Sequence, residues 1–423
     1  LTKANSIVPF GRQRENNNLL ANSYRPSHKT TKSRRPCTFN YFLRMITPSA
    51  AYSDSKKHLL ILDALRGIAA IMVLVMHTFE VYCEGDFHKM LVNHGYLAVD
   101  FFFMLSGYVM AHAYDDRWDT MTVLAFAKRR LIRLQPLIVL GMTIGALLFF
   151  FQASSVFPKI AETTLPQLLL IMVIGYTLLP VPPSMDIRGW TEMHPLNGAA
   201  WSLFFEYIAN VLHVLILRKL PNWALGVLVL LAAGALFNLA VYGKAGDLIG
   251  GWSTDPEQLK IGFTRLLFPY MAGMLLRRVV GVTATKNTFA LAGGLLIIAL
   301  SVPRIGGYDQ VWMNGLYEVF VLVLLFPTII YLGAIGKTSH PFTEKACTFL
   351  GDLSYPLYIT HFPIIYTYTA WISNNKVPIE EVAPVSIAVM FTTILVAYAS
   401  LKWYDLPVRR WLTKRFLHTG KSA

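Results

Sequence analysis

The chain has 423 residues, of which 54% are hydrophobic, 13% aromatic and only 15% charged, whereas an ordinary soluble domain carries roughly 25% charged residues. Its mean hydropathy is +0.46. The apolar residues gather in blocks of about 17–25, the length that crosses a ~30 Å hydrocarbon core. These figures exclude a soluble enzyme, and also an outer-membrane barrel, whose strands would read as about ten alternating residues.

The net charge of +14 does not indicate nucleic acid. Residues 1–45 hold nine Lys/Arg against Glu15 alone and supply +8 of the excess. The remainder sits at the ends of apolar blocks, where membrane topology accounts for it. Cys37, Cys83 and Cys347 are far apart and form no CxxC, which argues against a disulfide framework or a thiolate zinc site. No HExxH and no Gly-rich phosphate loop occurs, so no metal site and no nucleotide hydrolysis is expected.

In chain order, residues 1–50 are polar and basic with no apolar block, which predicts a disordered tail. The chain opens on Leu1, and Met45 shortly precedes the first block. Residues 1–44 are therefore expected to be an extension ahead of the start site, with a transit peptide as the competing reading. Apolar blocks follow near 59–82, 93–114, 131–152, 166–180, 198–218, 222–242, 260–280, 287–303, 314–335, 350–372 and 383–404. The fourth, bounded by Pro166 and Pro180, suits a re-entrant or interfacial helix. With that block not crossing and the N-terminus inside, the inner connections hold eighteen Lys/Arg and the outer ones seven. The positive-inside rule favours this arrangement. The expected fold class is all-α: a polytopic membrane helical bundle of about ten transmembrane helices plus one re-entrant or interfacial helix. Residues 51–412 form the transmembrane domain and 413–423 a short basic cytoplasmic tail.

Three charges stand in apolar surroundings: Arg66, Glu206 and Arg265. Such residues face a polar cavity or a partner. In LDALRGIAAIMVLVMHTFE, Arg66 and His77 are eleven residues apart, about 20° past three full turns and roughly 16 Å along the axis. A cation and an imidazole on one stripe predict a tunnel open at both ends. The second block places Asp100 and Ser106 among aromatics, and KRRLIRLQP supplies Lys128, Arg129, Arg130 and Arg133. Arginine forks match phosphate oxygens, although the same cluster also serves membrane orientation. In LGDLSYPLYITHFPI, Ser354, Tyr358 and His361 fall at i, i+4, i+7, one helical face that must meet something polar.

Taken together these blocks resemble the acyltransferase-3 family of integral membrane O-acyltransferases. LDALRGIAAIMVLVMH is similar to LDGLRGxAxxxVxxxH, AVDFFFMLSGYV to GVDxFFxLSGFxI, and RRLIRLQP to RRxxRIYP. AAWSLFFEY is similar to PLWSLSxEE, LGDLSYPLYITHFPI to LGxxSYxLYLxHxPI, and KWYDLPVRRWL to YxxxExPxRR. The six blocks stand in order across residues 59–412, and Gln135, Phe205 and Asp405 depart from the pattern.

The resemblance implies transfer of an acyl group, commonly acetyl, from acyl-coenzyme A to a hydroxyl of a sugar, glycolipid or polysaccharide. It makes Arg66 and His77 the essential pair and Arg130 and Arg133 the inner basic motif. Glu206 is a further catalytic candidate. Asp100, Ser106, Trp201, Arg265, Tyr358 and His361 are candidate substrate- or donor-binding residues. Glu206 or Asp100 would orient His77 or a nearby arginine, and the sequence leaves both open. The expected partners are acyl-coenzyme A, a carbohydrate or glycolipid acceptor and membrane lipids, with no nucleic acid and no tightly bound cofactor. The expected location is the inner cell membrane, with both termini cytoplasmic. A transporter lined by Arg66, Glu206 and Arg265 is the competing reading.

Overall fold

The computed structural model describes residues 59–281, 285–286, 288–338 and 340–417. The expected tail over 1–50 lies outside them, as do residues 418–423. The described chain is predominantly helical. In order run α1 (Leu60–Phe79), α2 (Ala98–Tyr114), α3 (Val123–Leu148), α4 (Leu165–Thr177), α5 (Ala200–Leu215), α6 (Asn222–Tyr242) and α7 (Pro256–Val279). There follow α8 (Thr288–Ser301), α9 (Trp312–Phe320), α10 (Phe326–Ile335), α11 (Pro341–Asn375), α12 (Ile379–Ala399) and α13 (Leu406–Phe416). Two π-turns, Val321–Leu325 and Ser400–Asp405, join α9 to α10 and α12 to α13. Thr285–Lys286 and Gly336–Lys337 pair in parallel as β1 and β2.

Local chemistry fixes several ends. Thr122 caps α3 by accepting from the Ala125 N–H, so α3 begins eight residues before the apolar block and carries the arginine cluster inside it. Asp255 caps α7 through the Gln258 N–H, with Pro256 at the first turn, where a missing N–H costs nothing. A Thr164–Gln167 capping box starts α4, and Leu178 ends it with φ 61°. The 13 residues of α4 reach only about 20 Å, as the two prolines suggested.

Among the described residues, eight helical stretches are long and apolar enough to cross a membrane. Two of the ten expected spans fail for different reasons. α8 has 14 residues, about 21 Å at 1.5 Å per residue, short of a ~30 Å core. α11 has 35 residues, ample length, but its polar stripe lowers its hydropathy. That stripe is turned inward: Ser354, Thr360 and His361 are each no more than 1% exposed. Large apolar side chains such as Leu147, Trp223 and Leu230 lie exposed on the outside, the surface a bilayer would cover.

α11 packs along α1, and α2 along α7, more extensively than any other pairs. Small residues permit both approaches. A Cβ on Gly107 would strike the Tyr270 carbonyl oxygen, and one on Gly273 the Met104 carbonyl oxygen. At the α2–α7 crossing Arg265 and Asp100 form an ion pair of 2.6 Å, with side chains 1% and 0% exposed. Arg265 also donates to the carbonyls of Gly250 (2.9 Å) and Tyr96 (2.8 Å). The pair clamps two helices together. Substituting Arg265→Leu strands a buried carboxylate and two carbonyls, a class of change that costs about 3–5 kcal/mol. The purified variant should melt far below wild type in detergent, while a surface control such as the exposed Lys244→Gln should not.

Candidate functional site

A cavity of about 430 Å³ opens among α1, α2, α3, α5 and α11. Its lining includes five arginines, Arg66, Arg117, Arg129, Arg130 and Arg133, against two carboxylates, Asp63 and Glu206. Arg130 and Arg133 are three residues apart on α3 and share a face. Arg66 is held on α1 by Asp63 Oδ1 (3.0 Å) and by Ser354 Oγ of α11 (3.0 Å), and the Ser354 hydroxyl donates in turn to the Gly351 carbonyl (2.8 Å). Arg130 donates to Glu206 Oε1 (2.7 Å) and to Asn210 Oδ1 (3.1 Å). Ser106 donates to the same Glu206 oxygen (2.7 Å). Every member of this group is anchored, and the lining carries a surplus of positive charge. Such a cavity selects an anion.

Above the arginines the wall turns apolar, with Val99, Phe102, Phe103 and Leu203. It closes at Tyr358, whose hydroxyl meets Ser202 Oγ at 2.7 Å and whose ring stands edge-on to Phe102. The expected tunnel is therefore closed here, because that hydrogen bond and the Phe102 ring fill its upper end. One turn further along α11 lies His361, buried at 1% exposure. Its Nδ1 donates to the carbonyls of Tyr358 (2.8 Å) and Leu357 (3.2 Å). His77 follows, its ring centre 5.7 Å from His361 and 4.5 Å from Phe362. Arg66 and His77 both turn toward α11, as their spacing predicted, but only Arg66 lines the cavity.

His77 Nδ1 lies 2.5 Å from Glu80 Oε2. A carboxylate accepts, so Nδ1 carries the proton and Nε2 is left as a lone-pair base. Of the alternatives the sequence left open for Glu206 and Asp100, the structure pairs each with a nearby arginine rather than with His77. Glu206 and Asp100 are both committed to arginines, and Glu80, three residues after His77, is the carboxylate that orients it. The signal stood at the end of LDALRGIAAIMVLVMHTFE as His-x-x-Glu, at helical i, i+3 spacing. Three of the candidates lie away from the cavity: Asp100, Arg265 and Trp201. Asp100 and Arg265 neutralise each other, and Trp201 packs against Phe205 and the Arg265 guanidinium. A transport path through Arg66, Glu206 and Arg265 is broken, because Arg265 is sealed in its own pair.

Prolines shape α11 beside the site. Pro363 has no N–H, which frees the Ile359 carbonyl four residues back, and Asn197 Nδ2 donates to that oxygen at 2.7 Å. The same connection between α4 and α5 buries Arg188, which stacks on Tyr366 with its guanidinium 3.8 Å from the ring centre. Arg188 donates through Nε and Nη2 to the Pro195 carbonyl. Tyr366 donates to Glu192 Oε1 at 2.5 Å, and its ring packs on Phe362. The loop is thus pinned next to His77.

A family model described as an acyltransferase domain, acyltransferase-3, matches residues 59–402. Protein 2 in the picA locus of Rhizobium radiobacter is 32% identical over 161 residues, 36% of this chain and 80% of that protein. O-acetyltransferase OatA of Staphylococcus aureus (strain NCTC 8325 / PS 47) is 22% identical over 383 residues, 87% of this chain and 60% of its own length. Peptidoglycan O-acetyltransferase OatA of Listeria monocytogenes is 24% identical over 380 residues, 84% of this chain and 56% of its own. The chain therefore spans less than two thirds of these two O-acetyltransferases. No solved structure matches.

The pinned loop has a measurable pH signature. Burial pushes the Glu192 carboxyl up to about 7 from 4.5, against the attraction of Arg188. A carboxyl raised on folding binds its proton more tightly in the folded state. Its stabilising effect is complete below pH 4.5 and is lost as pH rises through about 7, a change of roughly 3 kcal/mol. The melting temperature in detergent should fall from pH 5 to pH 8, and Glu192→Gln should flatten part of that fall. An equal or steeper fall in the variant would contradict the assignment.

Proposed function

Because the chain belongs to the acyltransferase-3 family of integral membrane O-acyltransferases, we propose that it transfers an acetyl group from acetyl-coenzyme A to a carbohydrate or glycolipid hydroxyl. The observation that carries this reading is the juxtaposition just described. An arginine-rich cavity leads, through an apolar wall, toward a histidine whose Nδ1 is held by a carboxylate. The Listeria relative is named a peptidoglycan O-acetyltransferase, which favours a glycan among hydroxyl acceptors. We place both termini on the cytoplasmic side of the cell membrane, from the excess of inner Lys/Arg.

In this reading Arg66, Arg130 and Arg133 bind the phosphates of the donor by charge-assisted forks. The pantetheine arm follows the wall of Phe102, Phe103 and Leu203, and the thioester reaches Tyr358. The Tyr358–Ser202 bond must then open for the acyl carbon to reach His77. His77 Nε2 takes the proton of the acceptor hydroxyl as that oxygen attacks the thioester carbon. Glu80 stabilises the imidazolium that results. The carbon–sulfur bond breaks, and the coenzyme thiolate leaves with the proton that His77 returns. Ester and free thiol are the products.

Three substitutions separate these roles in detergent-purified protein, read as release of coenzyme A thiol in the presence of glycan. His77→Gln keeps a hydrogen-bonding side chain but cannot take a proton, and should lose about 10²–10⁴ in kcat. Glu80→Gln should lose less, about 10- to 100-fold, because Glu80 is partly solvated and its effect is screened. Arg133→Ala should leave kcat nearly unchanged and raise the apparent KM for acetyl-coenzyme A by about 10- to 150-fold, the value of one charge-assisted contact. An active His77→Gln enzyme would remove His77 from the chemistry.

A further inference from the structure

His361 carries an atom that the fold leaves unanswered. Its Nδ1 is bound by two carbonyls, which only accept, so Nδ1 holds the proton and a neutral ring presents Nε2 as a bare acceptor. That Nε2 is buried and has no hydrogen-bond partner. The groups around the ring cannot supply one. Phe362 offers only its ring, 4.8 Å away between centres. Tyr358 is engaged with Ser202. His77 directs its Nδ1 proton to Glu80, and in the neutral ring that acts as base it likewise offers a lone pair at Nε2. Two acceptors cannot bond each other. The ring centres are 5.7 Å apart with planes tilted by 30°, so the rings are not stacked in contact. A buried acceptor without a donor is costly in a finished structure; one beside a catalytic base is explained when the donor arrives with the substrate.

We propose that His361 is an acceptor-positioning residue, its Nε2 receiving a hydrogen bond from a hydroxyl that neighbours the one His77 deprotonates. The acceptor class is then a polyol such as a sugar, not an isolated alcohol. One hydroxyl would satisfy only one of the two imidazoles, whereas two neighbouring hydroxyls satisfy both. This inference rests on the acetyl-transfer reading above and adds the second hydroxyl to it.

The test uses membranes from cells that make both the protein and its native glycans, with acetyl-labelled acetyl-coenzyme A. Label on the glycan fraction reports transfer, and free labelled acetate reports hydrolysis. His361→Asn keeps a side-chain donor near the Leu357 and Tyr358 carbonyls but has nothing at the Nε2 position. It should lower transfer roughly 10- to 100-fold, lower hydrolysis far less, and leave the KM for acetyl-coenzyme A within about twofold. His361→Gln, which brings an amide oxygen to the Nε2 position, should recover part of the transfer. His361→Asn with wild-type transfer, or with transfer and hydrolysis falling together, would overturn the proposal. A lowered melting temperature accompanying the joint loss would assign His361 to packing alone. If the wild type moved no label to glycan, or His77→Gln moved it normally, the acetyl-transfer reading itself would fail.

Discussion

A charge carried into a hydrocarbon-spanning bundle must be answered by a counter-charge, a hydrogen-bond partner or water, and the structure depends on how that constraint is met. Insertion of an arginine at mid-bilayer costs at least ~2.5–3.5 kcal/mol when nothing answers it. Arg265 is answered completely by Asp100 and two carbonyls, so it becomes a fastener between α2 and α7. Arg66 and Arg130 are answered by side chains that also face open space, and that space is the cavity. The same residue type thus builds either a clamp or a binding wall, according to how many of its donors protein atoms consume.

α11 is where the fold and the site meet. Its inward stripe supplies Ser354 to Arg66, Tyr358 to the closure of the cavity, and His361 beside His77. A helix with so polar a face is poorly suited to lipid on all sides. Its long packing against α1 keeps the stripe covered and brings it opposite the arginine–histidine face of that helix. Pro363 adds a second anchor, because the carbonyl it frees is claimed by Asn197 and ties the α4–α5 loop to the same helix.

Much of this was legible in the residues. The apolar blocks gave the helical bundle, the prolines at 166 and 180 gave a helix too short to cross, and the eleven-residue spacing put Arg66 and His77 on one face. Periodicity failed where a partner decides the outcome. Nothing in the spacing of Asp100 and Arg265 says that they meet each other across 165 positions and leave the cavity. Hydropathy overstated α8 and understated α11, because a window average cannot tell a polar stripe turned inward from a break in the span. Glu80 stands three residues after His77, where the helix brings its carboxylate within reach of the ring, but i, i+3 spacing alone does not say which carboxylate the histidine takes. Arg188 reads as a loop charge until the aromatic rings of Phe157 and Tyr366 close over it.

The central claim is that the arginine cavity receives the phosphates of an acyl-coenzyme A whose acyl end is directed along α2 and α11 toward His77. A structure of the protein bound to a non-cleavable thioether analogue of acetyl-coenzyme A tests it most directly. The account predicts phosphate oxygens within hydrogen-bond distance of Arg66, Arg130 or Arg133, and the thioether sulfur beside Tyr358. Phosphates held elsewhere, or an acyl end directed away from His77, would contradict it.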